Sequence, residues 1–177
     1  TQTNVDDSDF SSLGLWLDKR FIIIAAAAFI LPFMTTGLFF HQISLADEKG
    51  WAIKWLTVSF LGYALGRTLF SLVSGKLIDR HSALKIFPFH LSPFLIALCV
   101  LIFFDHPLAA PIYLTLTGIT MGLSSTTKTA LLAEVYGTEN LGSIRAMSTT
   151  LMVFSTALSP AIFGFILDKG FSFQSII

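Results

Sequence analysis

The sequence predicts an all-α fold, a polytopic membrane helix bundle with five complete spans and a truncated sixth, and three observations carry that prediction. Of 177 residues, 54% are apolar and only 12% are charged, whereas an ordinary soluble domain carries roughly 25% charged residues. Five apolar runs are each long enough to cross a hydrocarbon core of about 30 Å at about 1.5 Å of rise per residue. The strict apolar/polar alternation that a membrane barrel requires is absent, which leaves helices to satisfy the backbone in lipid.

In chain order, residues 1–13 hold Asp6, Asp7 and Asp9 among Thr, Gln, Asn and Ser, too few apolar groups to offset the entropy of ordering them. This stretch reads as a linker, and its acidic opening is unlike a cleavable signal sequence. Leu15, Trp16, Asp18, Lys19 and Arg20 then form an aromatic and basic collar of the kind found where a helix enters a membrane. The division expected is a cytoplasmic linker and collar over residues 1–20 and a transmembrane unit over 21–177. Spans are expected near Phe21 to Phe40, Trp55 to Ile78, Ile86 to Phe104, Leu108 to Leu132 and Ala146 to Leu167. A further run opens at Phe171 and has seven residues to Ile177, short of the roughly 20 a crossing needs, so the chain reads as a fragment of a longer protein.

Charge refines the picture. Eleven basic residues balance eleven acidic ones, so neither a nucleic-acid partner nor a polybasic membrane patch is indicated. Cys99, the one cysteine, lies inside an apolar run and supports neither a disulfide nor a metal site. Lys19, Arg20, Lys76, Arg80, Lys85 and Arg145 flank the spans on the side of the N-terminus, against Lys49, Lys54 and Lys169 on the other. That bias places the N-terminal linker in the cytoplasm; the membrane expected is the plasma (inner) membrane.

Polar residues inside the spans follow helical spacing. Ser59, Tyr63, Arg67, Ser71 and Ser74 share one face of the second span, and Tyr113, Thr117, Thr120, Ser124 and Lys128 share one face of the fourth. The fifth repeats the pattern with Ser148, Met152, Ser155 and Ser159, and the first contributes Pro32, Thr35, Phe39 and Gln42. One polar stripe on each of several helices is what a hydrated path through a bundle requires. Gly62 with Gly66, Gly118 with Gly122, and Ala157 with Ala161 and Gly164 form small-residue faces that let helix backbones approach closely in lipid. Pro88, Pro93 and Pro160 remove backbone donors and are expected to bend their helices.

Arg67 is the residue to explain. It lies roughly 18 Å of helix from the Trp55 end and nearly as far from Asp79, too deep to snorkel, and no Asp or Glu falls within any span. Its partner is therefore an anionic substrate, a carboxylate from elsewhere in a longer protein, or water in a cavity. Lys128, roughly 9 Å of helix from Glu134, either snorkels to the interface or lines the same path as a cation. Tyr63 and Tyr113 sit on the stripes with hydroxyls to offer a ligand, although interface or core contacts are the commoner use of such tyrosines. His90 among Pro88, Ser92 and Pro93 has no carboxylate partner in its span; the alternatives are a hydrogen-bonded structural role and a proton relay. Motifs for nucleophilic, metal-dependent or phosphate chemistry are absent from the sequence, so no enzyme activity, cofactor or metal is expected.

Gly75-Lys76-Leu77-Ile78-Asp79-Arg80 resembles the loop signature of the major facilitator superfamily, G-x-L-x-D-R-x-G-x-x-basic. Gly75, Leu77, Asp79, Arg80 and Lys85 match; Ser82 stands where the family often has glycine. The stretch Ala133 to Ser143 is similar to that family's connection between its tenth and eleventh helices. The resemblance covers essentially the whole chain and implies a major-facilitator-type six-helix half, helices seven to eleven and the start of twelve, partnered by an N-terminal six-helix half. It implies alternating access around a mid-membrane site, with Gly75, Asp79 and Arg80 in a gate where Asp79 accepts from a helix N-terminus and Arg80 pairs with an acid. Arg67 is similar to the substrate-binding arginine of the monocarboxylate and oxalate/formate branch. The expected function is secondary transport of a small organic anion such as a monocarboxylate, with a proton as candidate coupling ion and with Arg67, Tyr63, Tyr113, Thr117 and Lys128 as candidate binding residues. The alternatives are a permease for neutral or cationic solutes, such as sugars or drugs, and a non-transporting membrane sensor or scaffold.

Overall fold

A computed structural model describes residues 18–139 and 141–177; the linker, Leu15 and Trp16 lie outside the described residues. Among the described residues the chain is helical with no strand. The first helix, α1 (Lys19–Phe40), starts because Asp18 caps it, its Oδ1 accepting from the Arg20 N–H at 2.9 Å, a bond of the type that stabilises a helix by about 1 kcal/mol. Two bonds to the Gly37 carbonyl, from the backbone N–H and from Nδ1 of His41, close its far end. The short α2 (Gln42–Lys49) follows and stops at Gly50, whose left-handed φ of 66° suits glycine.

The next helix, α3 (Ile53–His81), is continuous for 29 residues and contains the whole of Gly75 to Arg80. Beyond it come α4 (Ala83–Ile86), α5 (Ser92–Phe103), α6 (Ala109–Tyr136), α7 (Leu141–Asp168) and α8 (Phe173–Ile176). Of these, α1, α3 and α7 are both long and apolar enough to cross a membrane. The 28 residues of α6 give it the length, but its threonines, serines and Lys128 keep it less apolar. The third expected span is not one helix: residues 87–91 form turns between α4 and α5. Pro88 and Pro93 explain the break, since two missing donors five residues apart interrupt the ladder of helical bonds twice within about a turn and a half. Between the prolines the Ile86 carbonyl takes one helical bond, from the His90 N–H, and a tighter i−3 bond from the Phe89 N–H.

Hydrogen bonds tie the helices together at both ends. At one end Tyr136 donates to Asp18 Oδ2 at 2.9 Å, joining α6 to α1. The N–H of Arg20 and the Tyr136 hydroxyl together hold the Asp18 carboxyl below the usual range. At the other end Lys49 Nζ meets Asp105 Oδ1 at 2.5 Å, and the Trp51 and Trp55 indoles donate at 2.7 Å to the carbonyls of Asp105 and Pro107. Each end also has a packed apolar cluster, one around Phe21, Ile24, Leu131 and Ile144, the other around Leu38, Leu45, Trp51, Leu101 and Phe163.

Lengthwise, α3 lies against α6 and α1 against α7. The α3 and α6 glycines are the reason for the first pairing. A Cβ at Gly118 would collide with the Tyr63 backbone, and one at Gly122 would lie 2.5 Å from the Arg67 carbonyl oxygen. The small face expected on α7 is not a packing face within the described chain: Ala157 and Ala161 are exposed. Serines join α7 to α1 instead, Ser155 donating to the Phe29 carbonyl at 2.5 Å and Ser159 to that of Phe33.

Candidate functional site

Between the two packed ends lies a cavity of about 180 Å³ that collects side chains from widely separated parts of the chain. Arg67 of α3 lines it together with His90 of the turn, Ser124 and Lys128 of α6, Pro32 of α1 and Met152 of α7. Arg67 stands midway between Ile53 and His81, roughly 20 Å of helix from either end. Its Nη1 donates to the Tyr63 hydroxyl at 3.2 Å, one turn away. Met121 separates this space from a second one, also about 180 Å³, bounded by Thr35, Thr36, Phe39 and Tyr63. No carboxylate is among the residues lining either cavity. Two cations and a serine facing one space without an acid, with a phenol bonded to one of the cations, form a wall that attracts an anion and orients it by hydrogen bonds.

The backbone places Arg67 as firmly as it places Tyr63. Because Gly118 and Gly122 admit the α3 backbone at these two residues, the pair rides directly on α6, the helix that supplies Ser124 and Lys128. Thus Arg67 and Lys128, two of the expected binding residues, line the first cavity, and Tyr63, bonded to Arg67, lines the second on the far side of Met121.

Tyr113 and Thr117 do not join them. Tyr113 is 1% exposed, takes a hydrogen bond from Gln42 and packs against Trp51. Thr117 is equally buried and returns its hydroxyl to the Tyr113 carbonyl at 2.7 Å. Tyr113 lies in the packed cluster of the Asp105 end, and neither residue is in the wall of either cavity. The α6 stripe therefore divides: Tyr113, Thr117 and Thr120 are spent on packing and back-bonding, and Ser124 and Lys128 meet the cavity. His90 also lines the cavity; its Nδ1 bonds the Phe87 carbonyl and its ring stacks on Phe87 with centroids 4.7 Å apart.

The expected gate residues form the last turns of α3. Gly75 has nothing within 4 Å of a built Cβ, and Asp79 and Arg80 are exposed, with no hydrogen bond or ion pair among the described residues. The contact with a helix start expected of Asp79 is made by Glu134 at the end of α6. Its carboxylate accepts from the Ser82 hydroxyl at 2.6 Å, the Ala83 N–H at 2.8 Å and the Leu84 N–H at 3.2 Å. Those three donors hold the Glu134 carboxyl below the usual range. Sequence reasoning missed this role because Glu134 looks like any interfacial acid; the positive φ of Ser82, 69°, which turns the chain so that Ala83 and Leu84 face α6, was signalled only by the glycine that the resembled loop often has at this position. Among the described residues no group of His, Cys, Asp or Glu is placed to hold a metal ion.

No curated protein and no solved structure matches the chain. The Major Facilitator Superfamily profile matches residues 14–177.

Proposed function

The chain belongs to the major facilitator superfamily, and on that premise we propose that it forms the C-terminal half of a secondary transporter for a small organic anion such as a monocarboxylate. Membership makes it part of a membrane transporter rather than an enzyme. The observation that carries the finer reading is Arg67, a guanidinium at mid-helix lining a cavity that also holds Lys128 and contains no acid. A cation at that depth costs about 2.5–3.5 kcal/mol on insertion scales, and a carboxylate ligand offsets the cost through a charge-assisted bidentate contact. Arg67 binds the carboxylate, the Tyr63 hydroxyl orients the guanidinium, and Lys128 supplies a second positive charge farther along. Tyr113 and Thr117 support α6 from behind without touching the ligand.

Asp79 and Arg80, without hydrogen-bond or ion-pair partners among the described residues, are available to the other half in one access state and released in the other; Gly75 lets that half come close. The basic flanking residues support a cytoplasmic position for this end.

Counterflow in proteoliposomes of the full-length protein, with a panel of labelled carboxylates, sugars and amines, tests the reading. Labelled monocarboxylate exchanges, and Arg67→Gln abolishes exchange at normal expression; unchanged exchange in that variant refutes it. One observation favours a second reading: Arg67 is itself exposed at the open side of the helices, where an acid of the other half has access to it. A permease for neutral or cationic solutes follows from that pairing, and counterflow of sugar or amine with no carboxylate exchange identifies it. Absence of any counterflow identifies a sensor or scaffold.

A further inference from the structure

We propose a second anion-binding site in this chain, separate from Arg67, in the small cavity between α6 and α7. The space is about 70 Å³ and is lined by Lys128, Thr129, Leu132, Arg145, Ser148 and Thr149. One water needs about 10–15 Å³ of such space, so the cavity accepts a few waters or one compact anion, a carboxylate group or an inorganic ion.

Its wall is built for negative charge. Lys128 and Arg145 both border it, neither makes an ion pair or hydrogen bond among the described residues, and no carboxylate shares the lining. Ser148 gives the independent observation. It is 2% exposed and its Oγ is buried with no hydrogen-bond partner, although Ser155 and Ser159 on the same helix each find an α1 carbonyl. A buried hydroxyl left unbonded is costly, and a change of Ser148 rotamer toward an anion between Lys128 and Arg145 supplies the acceptor that its Oγ lacks among the described residues.

Position gives the site a use. Lys128 lines both this cavity and the central one, and Arg145 is exposed one turn into α7, on the side of the bundle where that helix begins. An anion leaving Arg67 therefore meets Lys128, then Arg145 and Ser148, before it reaches open water. Each cation takes over the charge from the one before it, so no step leaves the anion without a counter-charge in a low-dielectric setting. The site is a transit station for a compact anionic group.

The test is thermal unfolding of the purified full-length protein in detergent, titrated with sodium acetate and separately with sodium chloride, ionic strength being held with bulky isethionate. The titrations are run in wild type and in Arg67→Gln, which removes the central site. A saturable rise in melting temperature is expected in both backgrounds. Arg145→Gln weakens the half-saturating concentration at least tenfold, Ser148→Ala does so a few-fold, and Arg145→Lys retains most of the effect. Saturation by acetate alone identifies the carboxylate of a transported substrate as the natural occupant; saturation by chloride as well identifies a free inorganic anion. The proposal is overturned if neither salt gives a saturable shift, if Arg145→Gln and Ser148→Ala leave it unchanged, or if Arg67→Gln alone removes it. Failure of the Arg67 reading shows instead as normal exchange in Arg67→Gln, a result independent of these titrations.

Discussion

Gly122→Ala tests whether close helix approach is what holds Arg67 in place. The added methyl lies 2.5 Å from the Arg67 carbonyl oxygen and 2.9 Å from the Ser71 nitrogen. Ordinary contact is about 3.5 Å, so α3 has to retreat by about 1 Å, and because the obstructing atoms are backbone no side-chain rotation relieves the clash. Overpacking of this kind costs about 1–3 kcal/mol, and the better helix propensity of alanine offsets about 0.5–1 kcal/mol of that. A net loss of roughly 1–2 kcal/mol follows. The displacement also draws the Arg67 guanidinium away from Ser124 and Lys128 across the cavity, so exchange per folded molecule falls beyond the loss in stability. Gly142→Ala is the reference, since a Cβ there meets nothing within 4 Å; it is neutral or slightly stabilising. The assay is unfolding by SDS in mixed micelles, paired with initial counterflow rates normalised to folded protein. If both variants shift stability in the same direction, or if Gly122→Ala exchanges at the wild-type rate, the packing argument fails.

Three further outcomes follow from the same geometry. Glu134 has a folded-state pKa depressed below its ordinary 4.5, so its stabilisation is present above that value and is lost as pH falls through the lower folded-state value; melting temperature falls more steeply with acidification below about pH 4.5 in wild type than in Glu134→Gln. Asp105→Asn leaves the Lys49 ammonium, whose side chain is 2% exposed, without its carboxylate and destabilises by about 1.5–3 kcal/mol, whereas Lys49→Met removes the buried charge itself and costs less; the reverse order in SDS unfolding contradicts the pairing. Gly75→Ala meets open space within this chain, so it keeps stability yet slows exchange several-fold where the other half closes on this turn, and an unchanged rate removes Gly75 from the gate.

Hydropathy and spacing were informative where one helix face has one kind of neighbour along its length. The apolar runs of α1, α3 and α7 are legible for that reason, and so are the glycines at 62, 66, 118 and 122, whose spacing has little use beyond close approach. Arg67 stood out because nothing else in the chain explains a cation at that depth. Helical spacing fails where a stripe changes neighbours. Tyr113 and Lys128 share a face of α6, but Trp51 and Gln42 cover the first and a cavity opens over the second, and those neighbours come from distant segments. The α7 serines read as part of a wet path, yet Ser155 and Ser159 bind α1, and only Met152 and the buried Ser148 border cavities. Pro88 and Pro93 were visible as bends, but whether two bends add to a break depends on bonds to Ile86 that composition does not record.

The break itself explains why the cavity lies where it does. Irregular backbone at membrane depth is tolerated only where protein or water satisfies it, and residues 87–91 lie against the central cavity, with Phe87 and His90 in its wall. On the neighbouring wall Pro32 has no N–H to give the Ala28 carbonyl, and both residues line the same space. Two separate losses of helical hydrogen bonding, in α1 and between α4 and α5, thus face one cavity. The opposite wall has the contrary design: glycines press α3 against α6, so that Arg67 and Lys128 stand on a tightly packed base. One side is rigid and cationic, the other is irregular backbone whose carbonyls at Ile86, Phe87, Phe89 and Leu91 are bonded locally, with room for water beside it. Room for water on the second side is what offsets the cost of placing a guanidinium on the first, and it predicts that filling the turn, by Pro88→Ala with Pro93→Ala, restores helical bonds across residues 87–91 and closes the cavity. Stability rises in that double variant and carboxylate exchange falls; exchange at the wild-type rate, with amide protection of residues 87–91 increased, refutes the coupling between the broken helix and the charged site.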